Sequence, residues 1–222
     1  MKKILIGALI MVLGLGVFGA YMLKTPSNPD QYDKENYIGA ADVQKIMTLQ
    51  MGITREMMSS FKIEGDVAYM SGVISKDTIR QVKKLIKDYP DVKTIQMVSV
   101  DGSVDDESNL VASRLVRQAG LNTYVAKDGH IASGGTDFFC AGVKRTAEEG
   151  AQVGVHSWAG GKVTNAALLP KDDEEHKKYI EYYKEMEMPD PKGFYFFTIN
   201  AAEADGMHYM SMDEMHQYGL VE

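Results

Sequence analysis

Along residues 67–156 the hydrophobic and polar positions switch repeatedly between a period of two and a period near 3.6. Residues 67–74, 94–100, 122–126 and 152–156 are short apolar runs bounded by turn residues, and predict strands. Residues 77–88 place Ile79, Val82, Leu85 and Ile86 on one helical face, with Pro90 beyond the end. Residues 105–119 predict a second helix stopped by Gly120, and residues 134–141 a short one closed by Gly142. Further on, residues 172–188 predict a long polar helix in which Tyr179, Tyr183 and Met186 recur at helical spacing. Residues 194–199 predict a strand or a buried apolar run. Residues 211–218 predict a last helix, with Ser211 and Glu214 as a capping box and Gly219 behind it. Strands separated by helices in this way imply an α/β architecture with right-handed crossovers.

The N-terminal pattern is different in kind. Residues 4–23 carry no charge and follow Met1-Lys2-Lys3. A helix of that length is roughly 30 Å long, enough to cross a bilayer. The preceding lysines keep the N-terminus in the cytoplasm and send the rest outward. A cleaved signal peptide, with Val17-Phe18-Gly19 before the cut, is the other reading. The expected organisation is therefore an anchor or signal at 1–24, a linker with an accessory helix at 25–65, and one α/β domain at 66–222. In the linker region Val43, Ile46, Met47 and Met51 have helical spacing. The expected location is a single-pass cell membrane protein with its domain outside the cytoplasm, or a secreted protein if the N-terminus is cleaved.

Composition narrows the chemistry. A net charge of −7 argues against nucleic acid as a partner. The single cysteine, Cys140, permits no intramolecular disulfide, and its Phe138-Phe139-Cys140-Ala141 setting reads as a buried helix face. No Cys/His cluster has zinc spacing, so neither metal nor cofactor is expected.

Two segments offer reactive groups. Ser133 lies among small residues in Gly129-His130-Ile131-Ala132-Ser133-Gly134-Gly135, at the predicted start of a helix. Unpaired N–H groups and the helix dipole favour an oxyanion there. A plain N-cap serine is the simpler alternative. His156 ends an apolar strand before Gly160-Gly161, where it could take a proton from a serine or be satisfied by local hydrogen bonds. The turn Asp101-Gly102-Ser103 follows an apolar strand and can present a backbone N–H. Glu203 and Asp205 are candidate third acids, or ordinary solvated loop residues.

These segments, in this order, resemble the proteolytic subunit of the ATP-dependent Clp protease and its crotonase-fold relatives, which include signal peptide peptidases of the Ser-Lys kind. The family's Gly-x-Ala-Ala-Ser-x-Gly segment is similar to Gly129 through Gly135. Its histidine before a glycine pair is similar to Val155-His156, and its closing helix to Met210-Ser211 through Tyr218-Gly219-Leu220-Val221. The resemblance spans residues 67–222. It implies a crotonase-like β-α-β spiral, with Ser133 as nucleophile, His156 as base, and the N–H groups of Ser103 and Gly134 as the oxyanion hole. Counting back from the C-terminus places Glu203 at the family's aspartate, and a two-residue shift places Asp205 there. Ser103 and Asp101 depart from the family's Gly and Pro in the oxyanion turn, and residues 171–200 do not follow its pattern.

The function expected is an extracytoplasmic serine peptidase or hydrolase acting through an acyl-enzyme on a peptide or small acyl substrate. A homo-oligomer is expected, with no ATPase partner. The rival reading is a catalytically inactive Clp-like scaffold for oligomerisation or partner binding, using the aromatic segment 179–197 as its interface. Acyl-CoA chemistry on the same fold is disfavoured by the outward location.

Overall fold

The computed structural model describes residues 57–160 and 163–222. The predicted anchor, the linker and its helix up to residue 56, and Gly161 lie outside the described residues. No helix among the described residues is long and apolar enough to cross a membrane.

The protein is a mixed α/β fold. Strands β1 (Ser60–Glu64) and β2 (Val67–Ser71) form an antiparallel hairpin. Helix α1 (Lys76–Asp88), strand β3 (Thr94–Val100), helix α2 (Asp106–Gln118) and strand β4 (Asn122–Val125) follow. Then come β5 (His130–Ala132), α3 (Gly134–Cys140), β6 (Arg145–Ala147) and β7 (Gln152–Val155). Two 3₁₀ turns, Ala166–Leu168 and Glu174–His176, precede α4 (Lys177–Glu185) and α5 (Pro191–Ala201), and β8 (His208–Tyr209) and α6 (Met212–Gln217) close the chain.

The sheet forks at β3. Thr94, Ile95 and Gln96 pair in parallel with β4, whereas Ser99 and Val100 pair in parallel with β5. One branch continues from β4 to β6, the other from β5 to β7 and the antiparallel β8. Helix α3 connects the branches and touches β5 and β7 on one and β4 on the other. Being covered on both sides, it is apolar: Phe138, Phe139 and Cys140 have no exposed surface. Burial of each phenylalanine is worth about 2–3 kcal/mol. Burial also pushes the Cys140 thiol far above its usual range, so it stays protonated and serves as packing.

Helices α1, α2 and α6 form where the periodicity places them. Asp105 caps α2 by accepting from the Ser108 amide at 3.0 Å, and Ser211 with Glu214 forms the capping box of α6. Four features differ from the sequence reading. The α/β unit reaches back to Ser60, because β1 pairs with β2 ahead of the expected boundary at Asp66. His130 to Ala132 form strand β5, where the sequence reading places no strand. The polar helix expected over 172–188 is broken into the second 3₁₀ turn and α4, and it buries Tyr179, Tyr182, Tyr183 and Met186. The apolar run 194–199 is helical: Asp190 accepts from the Gly193 amide at 2.8 Å and Pro191 opens the first turn, which starts a helix despite the β-preferring aromatics behind it. Phe194 and Tyr195 are buried within this chain, so they do not supply the exposed aromatic interface of the scaffold reading.

Candidate active site

Parallel pairing brings the two reactive segments to one sheet edge. Ala132 at the end of β5 is in register with Gly154 of β7, and the Ser133 amide donates to the Gly154 carbonyl at 3.0 Å. The next residue out of β5 is therefore Ser133, and the chain leaves β7 at His156. Both line one cavity that opens to solvent.

Ser133 has φ 55° and ψ −127°. A non-glycine residue in that region costs about 1–3 kcal/mol, so the surrounding pairing must hold it there. The residue stands at the N-cap position of α3 without using its hydroxyl as a cap. Its carbonyl instead accepts from the amides of Thr136 and Asp137 at 2.8 and 3.2 Å. The N-cap serine of the simpler sequence reading is thus not what forms: the hydroxyl is left for other chemistry.

The Asp101-Gly102-Ser103 turn packs directly against this corner. Gly102 has φ +142°, and a side chain there would meet the Ser133 Cβ at 3.4 Å. A Cβ on Gly134 would lie 2.5 Å from the Ser103 hydroxyl, so only glycine lets the turn and the helix start meet. Gly134 and Gly135, as the first helical residues, have no intrahelical acceptor for their amides. Ser103 and Gly134 are thus neighbours at the start of α3, where negative charge is favoured.

His156 is 8% exposed, and neither ring nitrogen has a hydrogen-bond partner among the described residues. No hydrogen bond therefore joins it to Ser133, Glu203 or Asp205. Loss of hydration holds its pKa below the usual 6.5; backbone groups of Ser157 and Ala204 and the charge of Asp106 act weakly in the opposite direction. The ring is thus neutral near pH 7, the state a general base requires.

The two acids expected from the sequence lie elsewhere. Glu203 is exposed and accepts from the Asn165 amide, whose Oδ1 in turn accepts from Ser157 Oγ at 2.6 Å. Asp205 is exposed, and neither acid lines the cavity. The carboxylates that do line it are Asp106 and Asp137, which the sequence reading missed. Asp106 accepts from Ser103 Oγ and, at 3.0 Å, from the Tyr179 hydroxyl. Asp137 accepts from the Tyr183 hydroxyl at 2.6 Å. Loss of hydration lifts the Asp137 carboxyl to about 7; the Tyr183 bond opposes the shift and the Asp106 charge adds to it. Asp137 had a usable signal: it lies four residues after Ser133, hence on the same helical face, in an otherwise apolar segment. Asp106 had none, since an acid in a first helical turn is ordinarily solvated.

Three further histidines are engaged. His176 is buried, with Nδ1 2.7 Å from the Tyr195 hydroxyl and Nε2 3.0 Å from the Pro170 carbonyl. His208 pairs with Glu214, and His130 with Asp101 and Gln152. No group of three or more metal-ligating side chains occurs among the described residues.

No protein-family model matches the sequence, and no curated protein matches it either. Solved structures similar to it include a putative enoyl-CoA hydratase from Streptomyces avermitilis, with 15% identity and a TM-score of 0.48 over 74% of this chain and 66% of that one. The chain thus spans just under two thirds of that protein. A variant of the 1510-N membrane-bound stomatin-specific protease is similar at 13% identity and a TM-score of 0.46, over 72% of this chain and 80% of that one. Human enoyl-CoA hydratase domain-containing protein 3 is similar at 9% identity and a TM-score of 0.45, over 74% and 69% of the two chains. At these scores the likenesses assign no chemistry.

Proposed function

We propose that the protein is a serine hydrolase, and within that class a peptidase, in which Ser133 is the nucleophile and His156 its base. The observation that carries the reading is the convergence in one cavity of a strained serine at a helix start and a buried histidine with no partner. An unpaired buried imidazole costs about 1–3 kcal/mol, and retaining it is understandable where a substrate or the serine hydroxyl completes its bonding. His156 takes the Ser133 proton as Oγ attacks an acyl carbonyl; the oxyanion forms against the N–H groups of Ser103 and Gly134. The proton passes to the leaving group, and water, activated by the same histidine, releases the acyl group. No hydrogen bond joins Ser133 to His156 in the structure; catalytic bonds of this kind commonly tighten only once substrate is bound. Residues 1–24 would anchor the domain outside the cytoplasm.

Labelling by a fluorophosphonate probe tests this on the full chain in neutral detergent, beside folded Ser133→Ala and His156→Ala variants. Parent labelling should fall by at least a thousandfold in Ser133→Ala, and by a similar factor in His156→Ala. Equal labelling of parent and Ser133→Ala would sink the assignment. A folded parent that never labels would favour the non-catalytic scaffold.

A further inference from the structure

Two carboxylates share the cavity beside Ser133, and among the described residues neither has a cationic partner. The partners of Asp106 and Asp137 are neutral hydroxyls from Ser103, Tyr179 and Tyr183. Among the described residues no lysine or arginine lines the cavity. Of the basic side chains nearby, Arg114 is tied to Glu185 outside it, and the exposed Lys178 lies over the rings of Trp158 and Tyr179 at 5.6 and 5.0 Å. The cavity wall adds aromatic surface from Trp158, Tyr179, Tyr183 and Tyr195. Independently of the acids, His156 lines the same space, more than nine-tenths buried, with both nitrogens lacking partners. At this depth the partner of those nitrogens comes from whatever fills the cavity, solvent or ligand.

We infer that this cavity is a subsite for a positively charged group, the ammonium or guanidinium of a basic side chain in the peptide presented to Ser133. Carboxylates attract the charge, and aromatic faces favour a partly desolvated cation. Distance suits the assignment. The Asp137 amide donates to the Ser133 carbonyl at 3.2 Å, so the two residues lie within one turn of each other. A lysine or arginine side chain spans that interval while its carbonyl remains at Oγ. Binding a cation also relieves the repulsion between Asp106 and Asp137. The substrate class rests on the hydrolase reading; the cation site itself does not.

Trp158 is the chain's only tryptophan and lines the cavity, so its fluorescence reports occupancy without catalysis. The full chain in neutral detergent is titrated with n-butylammonium, and with n-butanol at matched ionic strength. Butylammonium should give a saturable change and butanol none. Asp106→Asn/Asp137→Asn should raise the butylammonium Kd at least tenfold over the parent's. Equal responses to the two probes on the parent would overturn the subsite whatever the variants do. So would an unchanged Kd in the folded double variant. A parent that labels with fluorophosphonate but ignores butylammonium keeps the hydrolase and loses the subsite. A parent that binds butylammonium but never labels keeps the subsite and loses the hydrolase.

Discussion

The two ends of helix α3 are built in opposite ways. At its N-terminal end Ser133 is strained, and among the described residues His156 has no partner and Asp106 and Asp137 face one cavity without a counter-charge. At the C-terminal end a single side chain closes everything. The Arg145 guanidinium donates to five carbonyls: Cys140, Gly142, Met186, Gly219 and Leu220, at 3.0–3.4 Å. It gathers the end of α3, the end of α4 and the C-terminal segment at one point, and its positive charge suits the negative ends of helices. Arg117 adds a bond to the Gly142 carbonyl at 2.8 Å. The same seven-residue helix thus joins a corner where polar groups are fully matched to one where they are left open. Matched groups hold a fold, and open ones are tolerable only where they serve a ligand or a reaction.

Breaking the matched end should have the largest effect on stability. Arg145→Met orphans several half-buried carbonyls and should lower unfolding free energy by about 3 kcal/mol in denaturant titration, while labelling per folded molecule is retained. A loss below about 1 kcal/mol would show that water replaces the guanidinium readily.

The open end should make stability depend on pH. Asp137 titrates at about 7 in the folded protein against an ordinary 3.8. Between those values the folded state holds a proton that the unfolded chain has released. Its contribution is therefore intact below about pH 4 and declines as pH rises to 7, by roughly 2–3 kcal/mol after allowing for partial exposure. The groups around it are Asp106 from α2, Tyr183 from α4, Tyr195 from α5 and His156 beyond β7. His156 acts in the opposite sense: with its folded pKa held below 6.5, stability falls as pH drops through 6.5 and below. Asp137→Asn should remove the first slope and leave the second. Denaturation midpoints from pH 4 to 8 check this, and identical profiles for variant and parent would refute the assignment.

Strain at the open end should be separable from function. Ser133→Gly relieves the positive φ and should raise the melting temperature, with a gain of about 1 kcal/mol, while abolishing labelling. A destabilised glycine variant would mean the backbone there is relaxed.

The smallest effects should come from the loop acids. Glu203 reaches Asn165 and Asp205 is solvent-facing, so Asp205→Asn should leave the labelling rate unchanged and Glu203→Gln should alter it less than about threefold. A loss of a hundredfold or more in either would return that acid to the catalytic machinery.

Which of these features the sequence announces depends on how local their causes are. Helices α1, α2, α3 and α6 and strands β3, β4 and β7 lie close to where periodicity and caps place them, because those signals act within a few residues. The failures have local reasons too. Residues 194–199 are apolar on every side, so no period distinguishes strand from helix, and the deciding cap is Asp190 upstream. Strands β5 and β6 have three residues each, too few to show alternation.

What the sequence determined by itself was the α/β alternation, the serine at a helix start, the histidine at a strand end and the glycine turn beside them, since each is a short-range pattern of residue types. Only the tertiary structure decided the company they keep. The fork of the sheet at β3 sets β5 beside β7 and closes α2, α4 and α5 over the same edge, which puts Asp106 and Asp137 in the cavity and leaves Glu203 and Asp205 outside it. Carboxylates carry no mark in sequence that separates a solvated one from a buried one. Burial is a property of the packed molecule, and it is burial that lifts the Asp137 carboxyl to about 7 and leaves His156 uncharged.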